Sequence, residues 1–572
     1  MIKLQGFPAS SGLASGPAYI FEVERIKIER RKVSATEDEW KRLESALTEA
    51  DAQLNDLCQK TLQEASEEEA SIFKDHKLFL KDPSLLNAVR KVVDEQNLNV
   101  ESAWMDSIEG YAQQMENLED EYFRARGADI RDVGNRVLRI LLHKKNPDLD
   151  DLSTPSVIIA RDLTPSDTAA MDKSLVLAFC TAEGGPTSHT AILAKALGIP
   201  AVVGIGTDVL DITAHIPLLV DGELGEVIVN PDEDVQTEYQ TRKEKLQLRM
   251  EVDLSEAMKP AFTLDGHQIE VVANVGSVQD VQSALAHGAE GIGLLRTEFL
   301  YLERDTAPDE EEQLELYNNI LDLMGERPAV VRTLDVGGDK ELAYIDLGEE
   351  ANPFLGWRAI RMCLDEPDLF KVQLLALLRA SPGHDLRIMF PMVSTLKEVR
   401  CARALIQEAR QELEARGEKI SDTIQVGIMV EIPSVAIMAD QFAKEVDFFS
   451  IGTNDLTQYT MAAERTNERV AHLGDACNPA ILRQIQRVIR EAHKQGIWVG
   501  LCGELAGDPL AIPILLGLGL DEFSMAPSLI PHAKAVIRNW ALPEAEKLAI
   551  EVLDLESGEA VRQYVRAKTP KE

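Results

Sequence analysis

The chain is read as a multidomain α/β protein: an α/β domain interrupted by a helical bundle, followed by a (β/α)8 barrel. Three observations carry this. The last 300 or so residues alternate eight short apolar runs with helical stretches. Residues 30 to 145 switch to Glu, Lys, Leu, Ala and Gln with almost no Gly or Pro. The stretch around Gly184–Thr190 joins an apolar strand, Leu175–Phe179, to a small-residue helix closed by Gly198 and Pro200.

In chain order, residues 1–22 hold Gly6, Gly12, Gly16 and Pro17 before the apolar Ala18-Tyr19-Ile20-Phe21. That is one loop and one strand, too little to stand alone, so it needs a sheet formed later, from about 155 to 230. The intervening segment repeats apolar residues at helical spacing: Leu43, Leu47, Leu54, Leu57, then Ile72, Phe73, His76, Phe79, Leu80. His76 on this stripe is expected to be a hydrogen-bonded, semi-core residue. From Ser156–Ala160 to Glu226–Asn230 short strands alternate with turns. A charged, glycine-free helical linker follows.

Within Gly184-Gly185-Pro186-Thr187-Ser188-His189-Thr190 the two glycines permit a tight turn, and Thr187 and Ser188 suit a helix N-cap. His189 then falls in the first turn, where free N–H groups and the helix dipole favour anions and disfavour imidazolium. A neutral ring beside an anion-friendly turn is what phosphorylation on nitrogen requires. An N-capping cluster with a passing histidine fits the same residues.

The eight apolar runs are Ile269–Val275, Gly291–Arg296, Ala329–Leu334, Leu386–Met392, Gln425–Ile432, Val446–Ile451, Ile497–Cys502 and Asp521–Met525. Polar residues collect where they end, the rim on which barrel active sites are built. Arg296 and Arg332 follow neighbouring runs, and two guanidinium forks can grip one phosphate. Arg358 lies in the next crossover and is a third candidate. Glu431 and Asp455 end adjacent runs, and such carboxylates repel unless a cation lies between them; with phosphate near, Mg²⁺ fits. Asp455 also suits a helix cap. Asn454 and Arg465 are candidates to hold a substrate carboxylate. Cys502 between small residues is either an inert core thiol or, at a barrel mouth, a proton donor to carbon.

Composition sets the outer bounds. A chain of 572 residues with 45% hydrophobic content suggests about three or four folded domains. A net charge of −38 argues against a nucleic-acid or acidic-membrane surface, so an anionic substrate must meet a local cationic cluster. Six scattered cysteines without a C-x-x-C pair fit a reducing compartment, and no apolar run reaches spanning length. A cytoplasmic protein without membrane insertion is expected.

These segments also resemble a known family. Gly-Gly-x-Thr-Ser-His-Thr with Gly-Ile-Pro-Ala-Val-Val-Gly is similar to the phosphohistidine segment of the phosphoenolpyruvate-utilising enzymes, although Pro186 stands where many members carry Arg. The similarity extends along essentially the whole chain to the enzyme I group, through Asp162-Leu163-Thr164-Pro165-Ser166, Arg-Thr-Glu-Phe-Leu, Gly-Gly-Asp-Lys, Asn-Pro-Phe-Leu-Gly-Trp-Arg, Gly-Thr-Asn-Asp-Leu-Thr-Gln-Tyr and Cys-Gly-Glu-Leu-Ala-Gly-Asp. The resemblance implies a swivelling phosphohistidine domain (1–24 and 146–230) and an inserted helical subdomain (25–145) that docks the phosphocarrier protein HPr. It also implies a helical linker (231–260) and a TIM barrel (261–572) that binds phosphoenolpyruvate (PEP) and dimerises. The docking face would include the charged segment Asp120–Val133. By the same match Arg296 and Arg332 hold the PEP phosphate, Glu431 and Asp455 hold Mg²⁺, and Asn454 and Arg465 hold the carboxylate. Cys502 protonates the enolate released as pyruvate, and His189 carries the phosphoryl group to HPr. The rival readings are a paralogue feeding a nitrogen-regulatory phosphocarrier and a non-catalytic, carrier-binding regulator.

Overall fold

The computed structural model describes residues 1–10, 12–21, 28–64, 73, 76–116, 121–144, 152, 154–164, 167, 171–185, 188–302, 304–337, 342, 344–345, 348, 350–464 and 470–569. Side chains at 59–64, 116, 121–126, 128, 173, 189, 192, 195, 196 and 471 are not among those described. The chain divides into two compact units, Met1–Lys245 and Leu246–Glu572.

The first unit contains a sheet of eight strands in the order β1-β8-β7-β3-β4-β5-β6-β2. They are β1 (Ile2–Gln5), β2 (Phe7–Ser10), β3 (Leu13–Phe21), β4 (Ser156–Ala160), β5 (Val176–Thr181), β6 (Ala201–Val203), β7 (Pro217–Asp221) and β8 (Glu226–Val229). The N-terminal strands do pair with the later ones: β1 with β8, β2 with β6, and β3 with both β4 and β7. Strands β4 and β5 are buried on both faces, which is why they read as unbroken apolar runs.

Between the parallel neighbours β3 and β4 the chain runs through helices Thr36–Glu64, Pro83–Gln96, Val100–Glu116 and Glu121–Leu141. Their apolar stripes close a separate core around Leu43, Leu54, Val89, Trp104 and Val133. His76 departs from expectation here. It is 2% exposed, yet among the described residues neither ring nitrogen has a hydrogen-bond partner, and Asp129 approaches only to 3.8 Å. The aromatic edge of Phe73, with ring centroids 5.9 Å apart, fills that side instead. Of the charged 120–133 segment, Asp120 and the side chains of 121–126 lie outside the described residues, and Arg131 pairs with Glu109 at 2.8 Å.

The linker is one continuous helix, Glu233–Glu256. In its first half Tyr239 is buried and donates to the Val220 carbonyl, while Arg242 pairs with Asp221 at 2.6 Å. In its second half His532 meets Asp253 at 3.0 Å, and the buried Lys534 donates to the carbonyls of Ala257 and Gly288 at 3.0 and 2.8 Å. A cation on the last carbonyls of a helix satisfies groups the helix itself cannot.

The second unit is a closed parallel barrel of β10 (Gln268–Val275), β11 (Ile292–Leu295), β12 (Ala329–Arg332), β13 (Leu386–Phe390), β14 (Gln425–Val430), β15 (Phe448–Ile451), β16 (Trp498–Leu501) and β17 (Glu522–Met525). Strand β9 (Ala261–Phe262) adds an antiparallel edge, and the β10–β11 and β10–β17 pairings complete the ring. Each expected run is present with ends shifted by one or two residues: β10 starts one residue earlier, β12, β13 and β14 stop two residues sooner at the rim, and β15 and β17 start later.

Outward residues such as Val271, Val331, Ile428, Phe449 and Phe523 pack under the helices; Leu294, Val330, Met389, Met429, Phe448 and Cys502 fill the interior. Trp498 stacks on Phe448 with centroids 4.5 Å apart, and Arg387 lies over its ring. Glu522 is buried in this interior, and among the described residues neither carboxylate oxygen has a hydrogen-bond partner. Burial, then the neighbouring Glu270, pushes its pKa up to about 8 against the pull of Arg387. A carboxyl raised in the folded state stabilises fully below its unfolded pKa and loses that contribution as pH rises through the folded value. Glu522→Gln is therefore expected to raise the melting temperature at pH 9 by about 5 °C, with little change at pH 4.5. Calorimetry at the two pH values checks it.

Candidate active site at the barrel rim

Arg332 ends β12 and is 8% exposed. Its guanidinium pairs with Glu298, just past β11, and with Asp335 at 3.1 Å. Burial alone would weaken its hold on the proton, but Glu298, Asp335 and Glu431 outweigh burial and keep it firmly charged. Arg358 is equally buried. It reaches Asp335 at 3.1 Å and Asp455 at 3.8 Å, and its pKa too is raised by these carboxylates against burial. Tyr459, 3.5 Å from Arg358, donates to the Phe354 carbonyl at 2.6 Å and ties the crossover to the rim.

The loops bearing these groups are fixed from behind by Gln373, a fully buried side chain of helix Pro367–Ala380. Its carbonyl accepts the Leu334 N–H at 2.9 Å, and its amide donates to Thr297 at 3.1 Å, whose hydroxyl donates to the Arg332 carbonyl at 2.9 Å. One side chain thus ties the end of β11 to the end of β12.

Glu431 follows β14 and is 1% exposed. One oxygen accepts the Met392 N–H. Gly452 leaves room for the other, because a Cβ there would lie 3.1 Å from it. Asp455, in the first turn of helix Thr453–Met461, acts on Glu431, whose pKa is pushed up to about 8 by burial first and by Asp455 and Asp335 next. Among the described residues the cluster holds two guanidinium groups against four carboxylates, Glu298, Asp335, Glu431 and Asp455. Two negative charges are left over when all four are ionised, and one while Glu431 keeps its proton, as it does up to about pH 8. That excess opposes an anionic substrate, and two neighbouring buried carboxylates, Glu431 and Asp455, suit a hard divalent ion.

Cys502 sits past the end of β16 with its thiol near the Ile451 carbonyl at 3.8 Å. Burial pushes its pKa up to about 11, opposed by the Ser450 hydroxyl, so it stays a thiol at neutral pH. Arg296 is exposed at the end of β11 and makes no ion pair among the described residues. Asn454 is engaged with Glu504, donating at 3.3 Å and accepting the Glu504 N–H at 3.1 Å. Arg465 lies outside the described residues. The rim thus gathers Arg332, Arg358, Glu431, Asp455 and Cys502. It adds Glu298 and Asp335, to which the sequence reading gave no role, although each follows its arginine by two or three residues.

In the first unit, His189 is the first residue of helix His189–Leu197. Ser188 caps that helix, accepting the Ala191 N–H at 3.4 Å, and Gly184 turns with φ +96°. The buried Thr190 donates to Asp162 at 3.4 Å; burial raises the Asp162 pKa, an effect its hydrogen bonds oppose. The backbone is therefore arranged as an anion-accepting helix start. Pro186, Thr187 and the His189 side chain lie outside the described residues.

A histidine-bearing α/β sheet and a parallel barrel with a charged rim describe a recognised class. Residues 5–126 match the N-terminal domain of the PEP-utilising enzymes, 152–225 their mobile domain and 252–542 their PEP-binding domain. The chain belongs to the PEP-utilising enzyme family. Among its relatives, the phosphoenolpyruvate-protein phosphotransferase of Geobacillus stearothermophilus is 48% identical over 565 residues, covering 98% of this chain and 97% of that one. The proteins of the same name from Bacillus subtilis (strain 168) and Staphylococcus carnosus (strain TM300) are 46% and 44% identical, covering 99% of both chains in each case.

Proposed function

We propose that this protein is a phosphoenolpyruvate-protein phosphotransferase, which moves the phosphoryl group of PEP to His189 and then to a histidine of HPr. This is the first step of the sugar phosphotransferase system. The observation that carries the reading is the buried rim cluster of two arginines and four carboxylates, on a chain matched end to end by relatives of that name. Arg296, which makes no ion pair among the described residues, and Arg332 take the phosphate, with Arg358 as a third cation. Asn454 and Arg465 take the carboxylate. Glu431 and Asp455 would hold Mg²⁺; among the described residues no set of three metal-binding side chains forms a cage, so its remaining ligands would come from substrate and water. When bound, that ion neutralises charge on the phosphoryl group.

As the bond from phosphorus to the enol oxygen breaks, a His189 ring nitrogen bonds phosphorus. The enolate carbon takes the Cys502 thiol proton, and pyruvate leaves. Positioning and charge neutralisation do most of the work. The 25–145 helices are the carrier-docking part of this reading, and the barrel is its dimerisation part. The intact charged groups among the described residues speak against a non-catalytic regulator, and full-length relatives named phosphoenolpyruvate-protein phosphotransferase favour this reading over a nitrogen-chain paralogue. Among the described residues no helix is long and apolar enough to cross a membrane.

The test is incubation with labelled PEP and Mg²⁺, with a chelator control, followed by peptide mapping of acid-labile phosphate. Metal-dependent label on His189 that chases onto added HPr is expected. Retained PEP binding without label on His189 would overturn the assignment.

A further inference from the structure

Behind the rim runs a chain of buried hydrogen bonds that no step of the reaction above uses. It starts at Gln313 of helix Glu310–Met324, whose amide donates to the Pro308 carbonyl at 3.1 Å. The side-chain oxygen of Gln313 accepts from the Tyr301 and Tyr317 hydroxyls at 2.9 and 3.2 Å. Tyr317 accepts in turn from the Gln373 amide at 3.2 Å. The remaining bonds of Gln373 run to the rim, to the Thr297 hydroxyl and from the Leu334 N–H. Tyr301, Gln313, Tyr317, Gln373 and Thr297 are all buried.

Donor counting fixes the directions. Each hydroxyl carries one proton. That of Tyr317 goes to Gln313 and that of Thr297 to the Arg332 carbonyl, so both oxygens can only accept from Gln373. Both amide hydrogens of Gln373 are thereby used, and its oxygen faces the Leu334 N–H. Turning the amide over would set its NH₂ against that N–H and its carbonyl against two oxygens whose protons are already given elsewhere. Such a loss is costly where water is excluded. Gln373 is held in one orientation.

It joins the two segments that carry the phosphate arginines. Thr297 adjoins Arg296, and the carbonyl it holds belongs to Arg332. Leu334 adjoins Asp335, which pairs with both Arg332 and Arg358. Strand pairing does not set the spacing of these segments by itself, because the β11–β12 register shifts between Ile292 and Leu295, just before Arg296. We infer that Gln373, acting through Thr297 and Leu334, is a positioning residue that sets the spacing of Arg296 and Arg332 on the phosphoryl group. The inference rests on the function proposed above, in which those arginines hold the phosphate. A misplacement of about 1 Å in such a clamp can cost about 10²-fold in rate.

The experiment is single-turnover labelling of His189 in the full chain over a range of PEP concentration with Mg²⁺, beside the melting temperature of each variant. Gln373→Met keeps the length of the side chain without its amide, and Thr297→Val keeps the volume without the hydroxyl. Both are expected to lower the maximal rate about 10- to 100-fold with little change in the PEP concentration that gives half of it, because the arginines still reach phosphate but not in the geometry of transfer. Thr297→Ser restores the hydroxyl and should recover the rate lost in Thr297→Val, which decides the matter if Gln373→Met fails to fold. The double variant should lose no more than Gln373→Met alone, since both changes break one link. Tyr317→Phe cuts the same network on the side away from the rim; it should lower the melting temperature and leave the rate near parental. Rates that follow the melting temperature through every variant, Tyr317→Phe included, would overturn the positioning role. Parental rates in both Gln373→Met and Thr297→Val would overturn it too. A parent that takes no label from PEP on His189 would instead overturn the proposed function, and this role with it.

Discussion

Arg332→Met is expected to slow PEP-dependent phosphorylation by at least about 10³-fold and to destabilise the barrel by about 3–5 kcal/mol. Both effects follow from where the guanidinium sits. It stands between Glu298 and Asp335, which are 1% and 2% exposed. Removing it takes the guanidinium from Glu298 and leaves Asp335 with Arg358, and a buried carboxylate that loses its ion-pair partner costs more than the pair was worth. The rate loss has a separate origin, the missing fork to the phosphate. Arg332→Lys separates the two: it keeps one charge, so it should recover most of the stability but little of the rate, because an ammonium cannot hold two carboxylates and a phosphate with a planar fork. Urea unfolding and single-turnover labelling measure the two quantities. Parental labelling in either variant would remove Arg332 from the site.

The barrel was legible in the sequence because strands buried on both faces must be continuous apolar runs, and the rim was legible because polar residues stood at their ends. What the sequence hid was long-range. Arg358 sits in a crossover, and only the fold brings it against Asp335, 23 residues away, and Asp455. The role of Glu298 and Asp335 depends on burial, which local pattern does not encode. Gln373 offered no signal, as a glutamine on an amphipathic helix usually faces water. Strand alternation puts Glu522 inside the barrel, but the room for its carboxyl comes from Gly500 on a neighbouring strand. His76 was misjudged for the same reason: periodicity gives burial, not hydrogen bonding.

Asp455→Asn should reduce Mg²⁺-dependent phosphorylation at least about 10³-fold while making metal-free PEP binding tighter than in the parent. The charge count at the rim is what separates the two effects. With both Glu431 and Asp455 ionised the described cluster carries two excess negative charges and repels an anion, and Glu431 already answers by holding its proton up to about pH 8. Asparagine at 455 removes one of those charges and frees Arg358 from its 3.8 Å partner, so phosphate meets more positive charge than before. The ion, however, loses one of its two carboxylates, and transfer fails. Chelation in the parent should behave differently, losing binding and transfer together, because both carboxylates stay. Calorimetric titration of PEP with and without Mg²⁺, beside the labelling assay, tells these cases apart. If Asp455→Asn transfers phosphate at the parental rate in Mg²⁺, the ion is held by other residues and the rim carboxylates serve only to brace the arginines.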